Sequence, residues 1–253
     1  MARGVEAVGY WMAKRGNRED EWEDHFTLDE ATGRFAVADG ASSSAKAAAW
    51  AATLTRGFIA DPFETGDPQA LDRWLERRCL EFGELHGGEL DEDVALDNWM
   101  HHGVAEQHGF ATFIGVALAR LAGDDLVGNW VGVGDACLFH VRDGALVAAA
   151  PLTTGDGFGS HPDLLTSDPE HRPLGVATAF RGEAHLSPGD SLLLVSDALA
   201  EWSLGVSPHE PRVWDVLTGL DRERFNALVN VLRDRGEMVN DDVTLVRCRV
   251  AGS

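Results

Sequence analysis

An α+β fold is expected from three features of this 253-residue chain. Short runs of β-branched and aliphatic residues recur along it. Long stretches between them carry apolar residues at helical spacing, and the two kinds do not alternate as βαβ units would. The strand runs are Arg34 to Ala38 (RFAVA), Thr112 to Ala119 (TFIGVALA), Asn129 to Val133 (NWVGV), Ala136 to Val141, Ser191 to Ser196 (SLLLVS) and Val243 to Val250 (VTLVRCRV). Across 126–150 the order is strand, the turn VGDA, strand, the turn RDG and then ALVAAA, which predicts a hairpin meander.

Helical pattern covers much of the rest. Ser42 to Ala60 opens with hydroxyl residues able to cap a helix and continues in strong helix formers. Pro68 to His86, Asp91 to His108 and Pro211 to Arg235 are further helical stretches. Pro151 to Pro173 is rich in Gly, Pro, Asp, Ser and Thr, and loops of such length are usually functional or disordered. Within it, 153–172 is expected to form a flap, against the plainer reading of a surface loop. With no internal repeat, low-complexity tract or linker, one domain over 1–253 is expected.

Composition narrows the function. Hydrophobic residues make up 44% of the chain, enough for a buried core. The net charge of -21 repels phosphate backbones and anionic membranes, so neither nucleic acid nor a membrane surface is an expected partner. Cys79, Cys137 and Cys248 are odd in number and lack CxxC spacing, as buried thiols of a reducing compartment would be. The first residues carry no secretory pattern and no run reaches the ~20 apolar residues of a membrane span. A cytoplasmic location is expected.

The chemistry gathers at strand ends. Asp39 follows RFAVA, Asp135 follows NWVGVG, Asp197 follows SLLLVS, and Asp241 and Asp242 precede VTLVRCRV; Glu23 and Asp24 lie shortly before the first of these strands. Each alone is an ordinary turn residue. If the strands share a sheet, however, their carboxylates converge without any adjoining lysine or arginine, and like charges at low dielectric repel strongly. Hard divalent cations relieve this, and an all-oxygen donor set selects magnesium or manganese over zinc.

Taken in order, Glu23-Asp24, AVADGASSS, the Ala-Thr of GFATF, VGVGDA, LLLVSDALAEW and NDDVTLV resemble the metal-dependent Ser/Thr protein phosphatases (PPM, type 2C) in their bacterial form. The resemblance implies two antiparallel sheets packed face to face and flanked by helices. It implies that Asp39 bridges two Mn2+ or Mg2+ ions, that the Gly40 carbonyl with Glu23 or Asp24 serves one, that Asp197 and Asp241 serve the other, and that Asp135 helps hold a third, weaker ion. Asp39, Asp197 and Asp241 would then be the catalytic set. Hydroxide derived from a water between the ions would attack a phosphoserine or phosphothreonine of a protein substrate in line, with no covalent phospho-enzyme.

Three positions depart from the family. Its phosphate-gripping arginine is Glu19 here, with Arg18 adjacent and Lys14, Arg15 and Lys46 as alternatives; Arg18 and Lys14 are the expected phosphate ligands. The histidine proposed to protonate the leaving oxygen is Ala41, and the usual glycine after Asp197 is Ala198. His101, His102 and His108 cluster before GFATF but read as surface histidines. Two alternatives remain: a pseudophosphatase interaction module and a small-molecule phosphomonoesterase. Oligomeric state is not expressed in the sequence.

Overall fold

A computed structural model describes residues 4–42, 44, 46–86, 108–121, 125–159 and 161–251. Its strands are β1 (Val5–Met12), β2 (His25–Asp29), β3 (Arg34–Gly40), β4 (Phe110–Arg120), β5 (Leu126–Val133), β6 (Cys137–Arg142), β7 (Ala145–Ala150), β8 (Leu165–Thr166), β9 (Phe180–Leu186), β10 (Ser191–Val195) and β11 (Val243–Val250). They form a five-stranded sheet, β1-β11-β10-β6-β7, and a six-stranded one, β2-β3-β4-β5-β9 with β8 on β4. Neighbouring strands pair antiparallel.

The helices are α1 (Ala47–Ala60), α2 (Pro68–His86), α3 (Arg172–Ala177), α4 (Asp197–Val206), α5 (Val213–Thr218) and α6 (Arg222–Arg235). Three apolar layers hold the elements together. Phe35, Val37, Ile114 and Val116 of the larger sheet meet Leu138, Leu192, Leu194 and Val246 of the smaller one. On the smaller sheet's outer face, Phe139, Leu193 and Val195 pack with Leu199, Trp214 and Phe225 of the helices. On the other side, Ala36, Phe113 and Val131 pack with Trp50, Leu54, Phe58 and Trp74 of α1 and α2. The result is the expected helix–sheet–sheet–helix sandwich. β10 reads SLLLV because both its faces are covered, which removes the polar alternation of a half-exposed strand.

Four strands were not expected: β1, β2, β9 and the two-residue β8, which pairs only with β4. β1, β2 and β9 are sheet edges, where one flank meets solvent and the apolar run is interrupted, as by Arg181, Glu183 and His185 in β9. The RDG turn appears as predicted, with Asp143 at φ 51 and Gly144 at φ 74, the two left-handed residues of a type I′ hairpin between β6 and β7.

Two helix expectations need correction. α1 starts at Ala47 with Lys46 in the cap position and no side-chain cap. The upstream hydroxyls bond elsewhere: Ser44 Oγ donates to His108 O at 2.5 Å and Ser42 Oγ to Glu23 Oε2 at 2.5 Å. The stretch from Pro211 to Arg235 is two helices. Gly219 ends α5, and Asp221 caps α6 by accepting a 2.8 Å bond from Arg224 N. Of the helix expected over Asp91 to His108, all but His108 lies outside the described residues, as do His101 and His102.

Candidate metal centre

Antiparallel pairing brings the acidic strand ends together. The last residue of β10, Val195, is opposite Leu245 of β11, and Ser196 N donates to Thr244 O at 3.2 Å. Asp197 therefore leaves β10 beside the place where Asp241 and Asp242 enter β11. In the other sheet His25 is opposite Ala38, so one step outward Asp24 meets Asp39, and Asp39 faces Thr112 across β4. Asp135 occupies the turn where the chain passes from the larger sheet to the smaller. That turn requires Gly134: its φ is +84, and a Cβ there would lie 2.6 Å from both Asp163 O and Thr112 Cγ2.

The carboxyl groups perturb one another. Burial raises Asp39 well above the carboxylate range, and Asp24, Asp197 and Asp241 push it further. Asp24 is 1% exposed and is pushed up to about 8, chiefly by burial, with Asp242 and Asp197 adding to it against the 2.7 Å bond from Thr244 Oγ1. Asp135 rises to about 7 through burial, then Asp197 and Glu201. Asp197 rises through burial and the Asp241 charge. Among the described residues, none of Asp24, Asp39, Asp135, Asp197 and Asp241 forms an ion pair with lysine or arginine.

Asp242 has a different task. Its two oxygens accept Lys14 N at 2.7 Å and Glu23 N at 2.6 Å, which staples the 14–23 segment to the start of β11. Lys14 is thereby held at the cluster's rim, with Nζ 3.3 Å from Glu23 Oε2 and 3.0 Å from Ser42 Oγ. Burial pulls its pKa down, but Glu23, Asp241 and Asp242 outweigh this and raise it. Arg18 is outside the group: its side chain is 74% exposed on the turn Glu19–Glu21 and faces Asp20 at 3.0 Å. Lys46 Nζ donates to His86 O at 2.9 Å, away from the carboxylates. Gly40 packs so closely that a Cβ would sit 2.6 Å from Glu23 O.

Among the described residues, no three His, Cys, Asp or Glu side chains already close on one point as a metal cage. The donors nevertheless fit hard divalent cations. Two buried oxygens flanking Asp39 in the β register, Asp24 Oδ1 and Thr112 Oγ1, have no hydrogen-bond partner. Carboxylates that repel one another around such orphaned oxygens are the donor chemistry of magnesium or manganese. Sequence reasoning had not singled out Thr244 or Glu201. Glu201 stands four residues after Asp197 on α4, a helical spacing that does carry the signal.

No family model and no curated protein sequence matches the chain. Solved structures do. PppA of Pseudomonas aeruginosa is 19% identical with a TM-score of 0.59, covering 97% of each chain. The photosystem II phosphatase PBCP is 18% identical with a TM-score of 0.60, over 98% of this chain and 99% of that one. The catalytic domain of the serine threonine protein phosphatase PstP, solved in complex with two manganese ions, is 17% identical with a TM-score of 0.59, again over 98% and 99%. The chain has the fold of these phosphatases. The acidic strand ends described above are this chain's own residues at one end of that fold, contributed by both sheets.

Proposed function

We propose that this chain is a metal-dependent phosphatase acting on phosphoserine and phosphothreonine of proteins. The convergence of Asp24, Asp39, Asp135, Asp197 and Asp241 without a cationic partner carries this reading. Asp39, whose carboxyl feels Asp24, Asp197 and Asp241 together, would be the carboxylate shared by two ions, Mn2+ or Mg2+. Glu23, Asp24 and the Gly40 carbonyl would serve one ion and Asp197 with Asp241 the other, while Asp135 and Glu201 form a peripheral position for a third. When bound, such ions activate water and neutralise charge on the phosphoryl oxygens.

The chain's own groups do the rest. Lys14, tied by its backbone to Asp242, offers an ammonium at the rim where a phosphoryl oxygen needs a donor. Ser42, between Lys14 and Glu23, adds a hydroxyl beside it. Residues 153–172 flank the site as a substrate-selecting flap: Leu165 pairs with Ala111, next to Thr112, and Gly155 packs on Gly205 of α4. Free, buried Cys79, Cys137 and Cys248 suit the cytoplasm, and no described helix is long and apolar enough to cross a membrane.

The test is hydrolysis of p-nitrophenyl phosphate with manganese, with magnesium and with chelator, followed by phosphopeptides against phosphorylated metabolites. Metal-dependent turnover with phosphopeptides preferred is expected. No turnover with either metal would assign the chain to a non-catalytic role, and preference for metabolites would make it a small-molecule phosphomonoesterase.

A further inference from the structure

Beside Lys14 the surface opens into a cavity of about 290 Å³. Its walls contrast with a chain of net charge -21: four cations, Lys14, Arg15, Arg222 and Arg233, line it against one carboxylate, Glu19. Asn226 and Asn230, one turn apart on α6, add amide donors. Lys14 and Arg15 have carboxylate partners, Glu23 at 3.3 Å and Asp234 at 2.8 Å. Among the described residues Arg222 and Arg233 have none. Arg222 lies over the Tyr10 ring at 5.6 Å and donates only to the carbonyls of Trp11 and Gly9, each at 3.4 Å. Arg233 is 9% exposed, donates to Ala13 O and Asp241 O, and keeps a buried Nε without any acceptor. Buried donors normally have partners, and a paired arrangement of guanidinium and amide groups selects an oxyanion.

We propose that this cavity binds the carboxylate of an aspartate or glutamate lying close to the phosphorylated residue of a protein substrate. The proposal rests on the phosphatase reading. Lys14 belongs to both places, lining the cavity while its ammonium lies at Glu23 and Ser42 beside the acidic cluster. The two anion positions are therefore separated by little more than one lysine side chain. An extended peptide, rising about 3.3 Å per residue, spans that in one to three residues. Guanidinium groups bind carboxylates as a fork, so Arg222 at the exposed start of α6 is the residue placed to select the side chain.

The experiment pairs phosphopeptides that differ only in Glu or Gln at one to three residues from phosphoserine, hydrolysed by the full chain with manganese. The Glu peptide is expected to have a kcat/KM about tenfold higher, mainly through KM, with the advantage shrinking as salt is added. Arg222→Gln should bring the ratio near one, and Arg222→Lys should restore part of it. Equal values in the wild type, or a preference that survives Arg222→Gln, overturn the proposal. Calorimetry on the wild type and Arg222→Gln, with the unphosphorylated Glu peptide and separately with inorganic phosphate, reads the cavity without turnover. If p-nitrophenyl phosphate is not hydrolysed, the phosphatase reading fails. In that case Arg222-dependent binding of the acidic peptide upholds the cavity's assignment, and its absence overturns it. Arg222-dependent binding of inorganic phosphate without peptide discrimination would make this a site for a free anion and overturn the substrate proposal.

Discussion

The two ends of β10 show what separates a structural aspartate from one available for chemistry. Asp190 stands before the strand and Asp197 after it, seven positions apart in the chain. Asp190 is 2% exposed, yet it accepts from His140 Nε2 at 2.9 Å, from Arg142 Nε at 2.8 Å and Nη2 at 2.6 Å, and from Ser187 N at 2.9 Å. Burial alone would raise its pKa, but these partners hold it below the carboxylate range. Asp197 is raised by burial and by Asp241, with the backbone bond from Ala198 as its compensation. Burial acts in the same direction at both ends; the neighbours decide the sign. An acid whose neighbours are acids is stable only when protonated or when a cation arrives.

One substitution applied at the two ends should separate them most clearly. Asp39→Asn, at the acidic end, is expected to lower manganese-dependent turnover by about three orders of magnitude, because it removes the carboxylate proposed to be shared by two cations. Chelated protein should not lose thermal stability, since a repelling charge is gone. Wild-type turnover in this variant would break the comparison.

Asp190→Asn should do the reverse, keeping turnover and lowering the unfolding free energy by about 2 kcal/mol in urea titrations; Arg142 is half-exposed, which keeps the loss below that of a fully buried pair. The pH dependence follows from the sign of the shift. Because Asp190 is held below its ordinary value, its contribution is complete above about pH 4 and fades as pH falls through the lowered value. Wild type should therefore lose stability more steeply in acid than Asp190→Asn, and parallel acid limbs would show that the network contributes nothing.

Asp135→Ala tests whether the acidic end is itself divided. Asp135 is perturbed by Asp197 and Glu201 and does not perturb Asp39, so two ions should remain measurable by calorimetry while hydrolysis slows about tenfold or more. Loss of both ions would place Asp135 in the centre with the others. Ala41→His is expected to have the smallest effect. A seryl oxygen needs a positioned acid to leave and p-nitrophenolate scarcely does, so a gain confined to phosphoserine would supply that acid, whereas an unchanged ratio across pH would assign protonation to another group.

Much of this was written in the residues themselves. The apolar runs that became β3, β4, β5, β6, β10 and β11 were legible because they lie inside sheets and are covered on one or both faces, and Asp39, Asp135, Asp197, Asp241 and Asp242 were visible at the ends of such runs. Local chemistry sufficed there: burial demands apolar side chains, and turns take Asp and Gly. Only tertiary structure decided the rest. Edge strands β1, β2 and β9 owe their state to a neighbour that no local pattern records. Lys14 and Arg18 are indistinguishable basic residues in sequence, yet Asp242, 228 positions from Lys14, holds one at the cluster while the other turns to Asp20. Likewise Asp190 and Asp197 are both strand-end aspartates, and the pairing of β10 with β6 and β11 gives the first Arg142 and the second Asp241. Sequence specifies which groups are present; the charge state of a buried carboxylate depends on which long-range partner the fold sets within a few ångströms of it.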